Sequence, residues 1–274
     1  MTNSAVRIEN ETQTAYVEAL PHRGGIVIRW NINGQEIFYL DEERLLDLAL
    51  SVRGGNPILF PICGNLPNNT YPVGDQTYEL IQHGFARNLP WAVVSHTATS
   101  LEVALESTPE TLAVYPFEFL FKITYTLKGE SLEVRSHITN RSTQTMPFSL
   151  GFHPYFAVAN KSNLTFDLPA TQKDDNVAKQ TLPFTGEVDL NVPELDIALF
   201  PVTAQTSAMK GDRTIELTCD KIFTTLVVWT VAGKPFVCLE PWTSQRNAMN
   251  TGVDLTHLEP SGSIEAVVTM TAQV

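Results

Sequence analysis

The sequence has few cysteines and no hydrophobic segment of membrane-spanning length. Its 274 residues include three cysteines, none of them in a Cys-x-x-Cys pair. An odd number of thiols is typical of a protein from a reducing compartment. The N-terminal segment lacks the basic region and following apolar region of an export signal, and no apolar run is long enough to cross a membrane. We therefore expect a cytoplasmic protein with reduced thiols.

Positive charge is also scarce. The chain carries 18 lysines and arginines against 30 aspartates and glutamates, which gives a net charge of −12 at pH 7. Nucleic acids and anionic membranes would be repelled by this charge, so neither is expected as a partner. The balance does not exclude a local basic pocket.

Helical periodicity is rare, whereas alternation of apolar and polar residues is common. Such alternation is typical of half-buried antiparallel strands, and it occupies residues 100–107, 119–127, 131–139, 213–219 and 263–272. Residues 223–230 and 235–240 are more continuously apolar, and residues 128–130 predict a hairpin turn. We predict an all-β fold, a large antiparallel β-sandwich that forms one domain over residues 1–274.

One stretch has a helical pattern. The sequence DEERLLDLAL, residues 41–50, has Asp41 as a candidate N-cap, acidic residues in the first turn and leucines on one side. It predicts a short helix within an otherwise β-structured chain.

Two loop-like stretches combine polar and aromatic residues. In VRGGNPILFPICGNL (52–66), glycines and prolines interrupt an apolar run and place Arg53 at an irregular segment, where the alternative is an ordinary ion pair at a sheet edge. In QHGFARNLPW (82–91), His83, Arg87 and Trp91 offer hydrogen-bonding groups beside an aromatic face, which suits a pyranose. The alternative there is a loop whose histidine caps a carbonyl and whose tryptophan fills the core.

A third stretch, GFHPYF (151–156), surrounds His153 with aromatic residues. Burial lowers the pKa of an imidazole unless a carboxylate restores it, and such a group could titrate near neutral pH as a general acid. Glu240 ends the apolar stretch PFVCLE, where partial solvation would raise its pKa and make it a competent base. The alternatives are a structural histidine and a surface glutamate.

From about residue 20 to the C-terminus, the chain resembles the aldose 1-epimerase (galactose mutarotase-like) family. Four motifs carry the resemblance, in this order along the chain: Arg53-Gly-Gly with FPICGN, HGFARNLPW, GFHPYF and LEPW. The resemblance implies a β-supersandwich that binds a sugar without metal or cofactor. It implies Glu240 as general base, His153 as general acid and His83 as a hydrogen-bonding group near the anomeric centre. It also implies Arg53 and an aspartate as sugar ligands. The best match for that aspartate is Asp196 in PELDIALF, with Asp189 and Glu194 as alternatives.

The resemblance leaves the substrate open. A free aldose is ranked first, and a hexose 6-phosphate held by Arg53 and Arg87 is the close alternative. A noncatalytic carbohydrate-binding domain would share the fold. A metal-dependent enzyme is disfavoured because the six histidines show no H-x-H or H-x-x-x-H spacing. A glycoside hydrolase would need a second carboxylate beside Glu240. The chain could act as a monomer or a homodimer.

Overall fold

The computed structural model describes residues 5–274, and this part of the chain forms 24 strands and three short α-helices. The strands are β1 Val6–Glu9, β2 Ala15–Leu20, β3 Ile26–Ile32, β4 Gln35–Glu36, β5 Ile58–Leu59, β6 Thr70–Val73, β7 Gln76–Glu79, β8 Ala92–His96, β9 Ser100–Glu106, β10 Phe119–Lys128, β11 Ser131–Asn140, β12 Met146–Phe148, β13 Gly151–Phe152, β14 Tyr155–Ala157, β15 Thr165–Asp167, β16 Ala170–Asp175, β17 Gln180–Pro183, β18 Glu194–Val202, β19 Thr206–Lys210, β20 Thr214–Cys219, β21 Thr225–Val231, β22 Phe236–Trp242, β23 Thr256–Leu258 and β24 Ser263–Gln273. The helices are α1 Glu42–Leu46, α2 Pro109–Val114 and α3 Ala248–Thr251.

Two large antiparallel sheets form the body of the described chain. The outer sheet has the order β15-β19-β20-β24-β11-β10-β9-β8. The second, here called the site sheet, has the order β17-β16-β18-β21-β22-β13-β5, with β14 also paired to β22. Strands β1 to β4 form a smaller sheet beside them. The predicted antiparallel β-sandwich is confirmed.

The alternating segments form strands of the outer sheet. In β10, every second side chain from Phe119 to Leu127 is buried, and the intervening ones are partly exposed. Its hairpin with β11 closes at the pair Lys128–Ser131, so the predicted turn is confirmed. Gly129 at that turn has φ of 58°, a conformation in which glycine has no Cβ penalty.

The sequence of β22 is continuously apolar rather than alternating because both faces of this strand are buried. All seven of its residues are buried. Val237 and Leu239 belong to the main hydrophobic core, whereas Cys238, Glu240 and Trp242 lie on the opposite face because side chains alternate along a strand. This second face carries the candidate site.

The helix predicted over residues 41–50 is much shorter than expected. Asp41 is the N-cap, as predicted, and its side chain accepts a hydrogen bond of 3.1 Å from the backbone N–H of Arg44. The helix ends at Leu46 because the Asp47 carboxylate accepts from the N–H of Ala49 and turns the chain away. Leu45 packs against the small hydrophobic cluster of Leu20, Ile26 and Ile28, whereas Leu46 and Leu48 are 80% and 76% exposed, so only part of the expected apolar side is covered in the described chain.

Among residues 5–274, no helix combines the length and the apolar character needed to cross a membrane. The cytoplasmic location, the single-domain organisation and the monomeric or homodimeric state stay predictions.

Candidate active site

A cavity of about 360 Å³ opens on the exposed face of the site sheet. This volume lies at the lower end of the range for small-molecule sites. Its floor comes from β18, β21, β22 and the segment joining β13 to β14. Its walls come from α1, the loop before β5, the loop around His83 and the segment after β22. The lining residues are Arg44, Ser51, Val52, Arg53, Gln82, His83, Arg87, His153, Tyr155, Glu194, Asp196, Val227, Trp229, Glu240, Trp242 and Arg246.

Strand register builds the floor. Trp229 on β21 pairs with Asp196 on β18 and with Cys238 on β22. One step along, Val227 pairs with Ala198 on β18 and with Glu240 on β22. Residues two apart on a strand share a face, so these two rows point to the same side of the sheet.

His153 and Glu240 lie together at the centre of the floor. The distance from His153 Nε2 to Glu240 Oε1 is 3.5 Å, and Glu240 is 1% exposed. Glu240 Oε2 and His153 Nδ1 are buried without a hydrogen-bond partner in the part of the chain that the structure describes. Unsatisfied polar atoms are rare in protein interiors, and their presence here is typical of a site that acts on a ligand.

Burial pushes the two groups toward their neutral forms. It raises the pKa of the Glu240 carboxyl well above its usual range, in the direction predicted, although Glu240 is fully buried rather than partly solvated. Burial and, to a lesser extent, the positive charge of Arg87 lower the pKa of His153 to about 3. The expected titration of His153 near neutral pH is therefore wrong, because the one carboxylate beside it among the described residues is itself buried.

Tyr155 and Trp229 hold the imidazole of His153. The Tyr155 ring stacks on it at 4.7 Å with an interplanar angle of 7°, and the Trp229 ring meets it edge-on at 5.7 Å. These aromatic contacts fix the plane of the imidazole.

His83 lies beside His153, with ring centroids 5.6 Å apart. Its Nδ1 accepts a hydrogen bond of 3.0 Å from the backbone N–H of Gly64, so a neutral ring carries its proton on Nε2. Burial lowers the pKa of His83 well below its usual value. The ring thus caps an N–H rather than the carbonyl that the alternative interpretation required, and it presents a fixed N–H donor.

Trp91 does not lie in the cavity, contrary to the sugar-contact interpretation. Its side chain is buried, packs against Phe121 and donates to the carbonyl of Ala86 at 3.0 Å. Trp229 and Trp242 are the indoles that line the cavity instead. The sequence contains four tryptophans, and local pattern did not distinguish a core tryptophan from one on the site face.

Asp196 lies in the cavity, and it is paired with Arg246. One nitrogen of Arg246 donates to both carboxylate oxygens at 2.8 Å, and Asn176 donates to one of them at 3.0 Å. Of the two alternatives, Glu194 also lines the cavity, where it accepts from the indole of Trp229. Asp189 lies outside it. The role of Asp196 as a sugar ligand stays a prediction.

Arg246 was not singled out from the sequence, and Arg44 was missed as well. Arg246 follows Glu240 by six residues in the stretch CLEPWTSQRN, and that proximity was the available signal. It lies beyond the end of β22, where no strand periodicity predicts the direction of a side chain.

The two predicted arginines both reach the cavity. Arg87 is half-buried and donates to the carbonyl of Gln82 at 2.9 Å. Arg53 is exposed, with its guanidinium 5.7 Å from the ring centre of Trp229. Within residues 5–274 neither guanidinium forms an ion pair, so the ordinary ion pair that was the alternative for Arg53 is not found.

Solved structures share this architecture. The Slr1438 protein of Synechocystis sp. PCC 6803 is 39% identical and superposes with a TM-score of 0.97 over 100% of this chain and 96% of its own. A galactose mutarotase related enzyme from Lactobacillus acidophilus has a TM-score of 0.81 at 23% identity, over 99% of this chain and 98% of its own. The fold is therefore the galactose mutarotase-like supersandwich.

Sequence comparison gives the family. A family model described as aldose 1-epimerase matches residues 5–270, so the chain belongs to the aldose 1-epimerase family. Protein LacX (chromosomal) of Lactococcus lactis subsp. lactis is 28% identical over 229 residues, which are 73% of this chain and 77% of LacX. A Cenchrus ciliaris protein described as a candidate glucose-6-phosphate 1-epimerase is 27% identical over 242 residues, 82% of this chain and 67% of its own length. Enzymes of this family are isomerases, and the predicted enzyme class is confirmed.

Proposed function

We propose that the protein interconverts the α and β anomers of an aldose by opening and reclosing the sugar ring. The observation that carries this proposal is the His153–Glu240 pair, 3.5 Å apart on the floor of a cavity of sugar size. Anomer exchange needs one proton acceptor and one proton donor near the acetal carbon, and this pair supplies both.

In the proposed reaction, Glu240 removes the proton of the C1 hydroxyl while His153 gives a proton to the ring oxygen. The bond between C1 and the ring oxygen breaks, and C1 becomes a free aldehyde. After rotation about the C1–C2 bond, the ring oxygen attacks the other face of C1 and both proton transfers reverse. The pair regains its starting protonation, so the cycle consumes no proton.

These roles require the shared proton to lie on His153 when the ring opens. Burial favours the opposite arrangement in the empty site, with the proton on the Glu240 carboxyl. In either arrangement, one of the two side chains is a proton donor and the other is a proton acceptor. The two side chains exchange these roles when the ring recloses. The N–H of His83 is a third group suited to stabilise negative charge on a sugar oxygen.

A second candidate substrate, a hexose 6-phosphate, is favoured by the arginines. Arg44, Arg53, Arg87 and Arg246 all line the cavity. Arg246 is neutralised by Asp196, whereas the other three form no ion pair within residues 5–274. Unpaired guanidinium groups in a chain of net charge −12 are suited to bind a phosphate.

Polarimetry of freshly dissolved α-D-glucose and α-D-galactose, with exchange NMR on glucose 6-phosphate, tests both substrates. Faster anomer exchange of the free sugars alone supports a free aldose as the substrate. Faster exchange of glucose 6-phosphate alone supports a phosphorylated substrate whose phosphate the arginines bind. Glu240→Gln is expected to lower kcat at least about 10²-fold, since the group that transfers the proton is lost. Failure with every sugar, or full activity of Glu240→Gln, contradicts the proposal and favours a noncatalytic sugar-binding domain.

A further inference from the structure

The floor of the cavity carries a third group besides His153 and Glu240. Cys238 lies two residues before Glu240 on the same face of β22, and its side chain is fully buried. One ligand atom from each of these three residues lies within 4.8 Å of the other two. A sulfur, a ring nitrogen and a carboxylate oxygen therefore lie close together on the floor of the cavity.

The separations are suited to a tetrahedral metal ion. Bonds of about 2.0–2.3 Å to nitrogen, oxygen and sulfur place two ligands of a tetrahedral Zn²⁺ ion about 3.3–3.6 Å apart. The distance of 3.5 Å between His153 Nε2 and Glu240 Oε1 lies in this range. The Cys238 sulfur lies within 4.8 Å of a ligand atom of each of the other two residues, so it has to move inward to complete three ligands.

We infer that His153, Cys238 and Glu240 form an inhibitory binding site for a thiophilic divalent ion such as Zn²⁺ or Co²⁺. A thiolate ligand selects this class over Mg²⁺ and Ca²⁺, which take oxygen ligands. On binding, the thiol and the carboxyl each release a proton to the solvent, and the imidazole stays neutral. The two negative ligands balance the charge of the ion, as burial of a cation requires.

The ion blocks proton transfer because it occupies the lone pairs that would accept the proton. A fourth position faces the cavity, since His153 and Glu240 both line it, and water or a sugar hydroxyl fits there. Binding is reversible rather than structural for two reasons. His153 Nδ1 has no hydrogen-bond partner in the described chain to support it as a ligand, and the cavity arginines repel a cation.

Titration with Co²⁺ tests the site without any activity measurement. Protein freed of metal by EDTA and then dialysed should develop a saturable near-ultraviolet thiolate-to-cobalt absorption band. Both Cys238→Ser and Cys238→Ala should lose the band. Agreement between the two variants excludes a folding defect that is particular to one of them. Cys63→Ser is the matched control, because Cys63 is also buried, next to Gly151 and Trp242, but is not among the three converging residues.

The inhibition arm uses Zn²⁺ with Mg²⁺ as the control ion. Zn²⁺ should slow anomer exchange, EDTA should restore it, and Cys238→Ser should need at least about tenfold more Zn²⁺ for the same inhibition. A wild-type protein with no cobalt band, or a band that survives in Cys238→Ser, overturns the inference. If no sugar is turned over, the cobalt spectrum still decides the metal site, so its failure is distinct from failure of the proposed function.

Discussion

Replacement of Glu240 by glutamine should make the protein more stable, and increasingly so as the pH rises. Glu240 is buried, one of its oxygens lacks a partner in the described chain, and its pKa lies well above 4.5 because of burial. Above pH 4.5 the unfolded chain loses this proton while the folded protein keeps it. The stability contributed by the protonated carboxyl is therefore present below pH 4.5 and is lost as the pH rises toward the folded pKa.

The expected size follows from linkage. Each pH unit between the two pKa values costs the wild type up to about 1.4 kcal/mol relative to Glu240→Gln, so the stability difference between the two proteins should widen above pH 4.5 until the folded carboxyl ionises. Each kcal/mol of this difference corresponds to roughly 2–4 °C in Tm for a chain of this length. Glutamine cannot ionise, and it preserves the shape of the side chain.

Urea unfolding of both proteins at pH 4.5, 5.5, 6.5 and 7.5 in the presence of EDTA measures the effect. Glu130→Gln, at an exposed position in the β10–β11 turn, controls for the substitution itself. A stability difference that does not change with pH refutes the reasoning. A less stable Glu240→Gln at neutral pH would mean that Glu240 and His153 form an ion pair in the folded protein.

Three further substitutions test the surroundings of the site. His83→Asn, whose Oδ1 can still accept from the N–H of Gly64 but which has no N–H at the position of Nε2, should lower kcat/KM by about 10²-fold in the polarimetric assay with little change in Tm; an unchanged rate would remove His83 from the proposed reaction. Gly84→Ala should cost about 2 kcal/mol or more in urea unfolding, because φ is +68° and a Cβ would lie 2.2 Å from the carbonyl oxygen of Phe60; wild-type stability would contradict this contact. Tyr125→Phe should cost about 1–2 kcal/mol, since the buried carbonyl of Gly25 loses a hydrogen bond of 2.7 Å; an equally stable variant would show that the carbonyl finds another donor.

The sequence predicted those parts of the fold that depend on local alternation. Strands β9, β10, β11, β20 and β24 have a buried and a half-exposed face, so their period of two is visible in the sequence. The helix over 41–50 was overestimated because propensity and an N-cap cannot show whether its leucines will find a surface to cover.

Most of the residues predicted for the site came from the four motifs, and Asp196 in PELDIALF was the exception. His153, Glu240, His83, Arg53 and Arg87 lie in the four recognised stretches, and all of them line the cavity. Residues outside such stretches depend on pairing between distant strands. Cys238 and Trp229 lie side by side because β21 pairs with β22 in one particular register. The sequence of either strand alone does not predict which of its faces lines the cavity.

The pairing of Asp196 with Arg246 changes what the loss of either side chain should do. If Asp196 acts on the sugar through Arg246, then Asp196→Asn, Arg246→Gln and the double variant should lower kcat/KM by similar amounts, because one interaction is removed in all three. If Asp196 binds a sugar hydroxyl by itself, the two losses should add in the double variant. Urea unfolding of the same proteins separates a structural effect from a binding effect, since removal of one partner leaves the other charge unpaired in a partly buried position. Additive losses in kcat/KM, together with unchanged stability, would contradict the paired arrangement and restore Asp196 as an independent ligand.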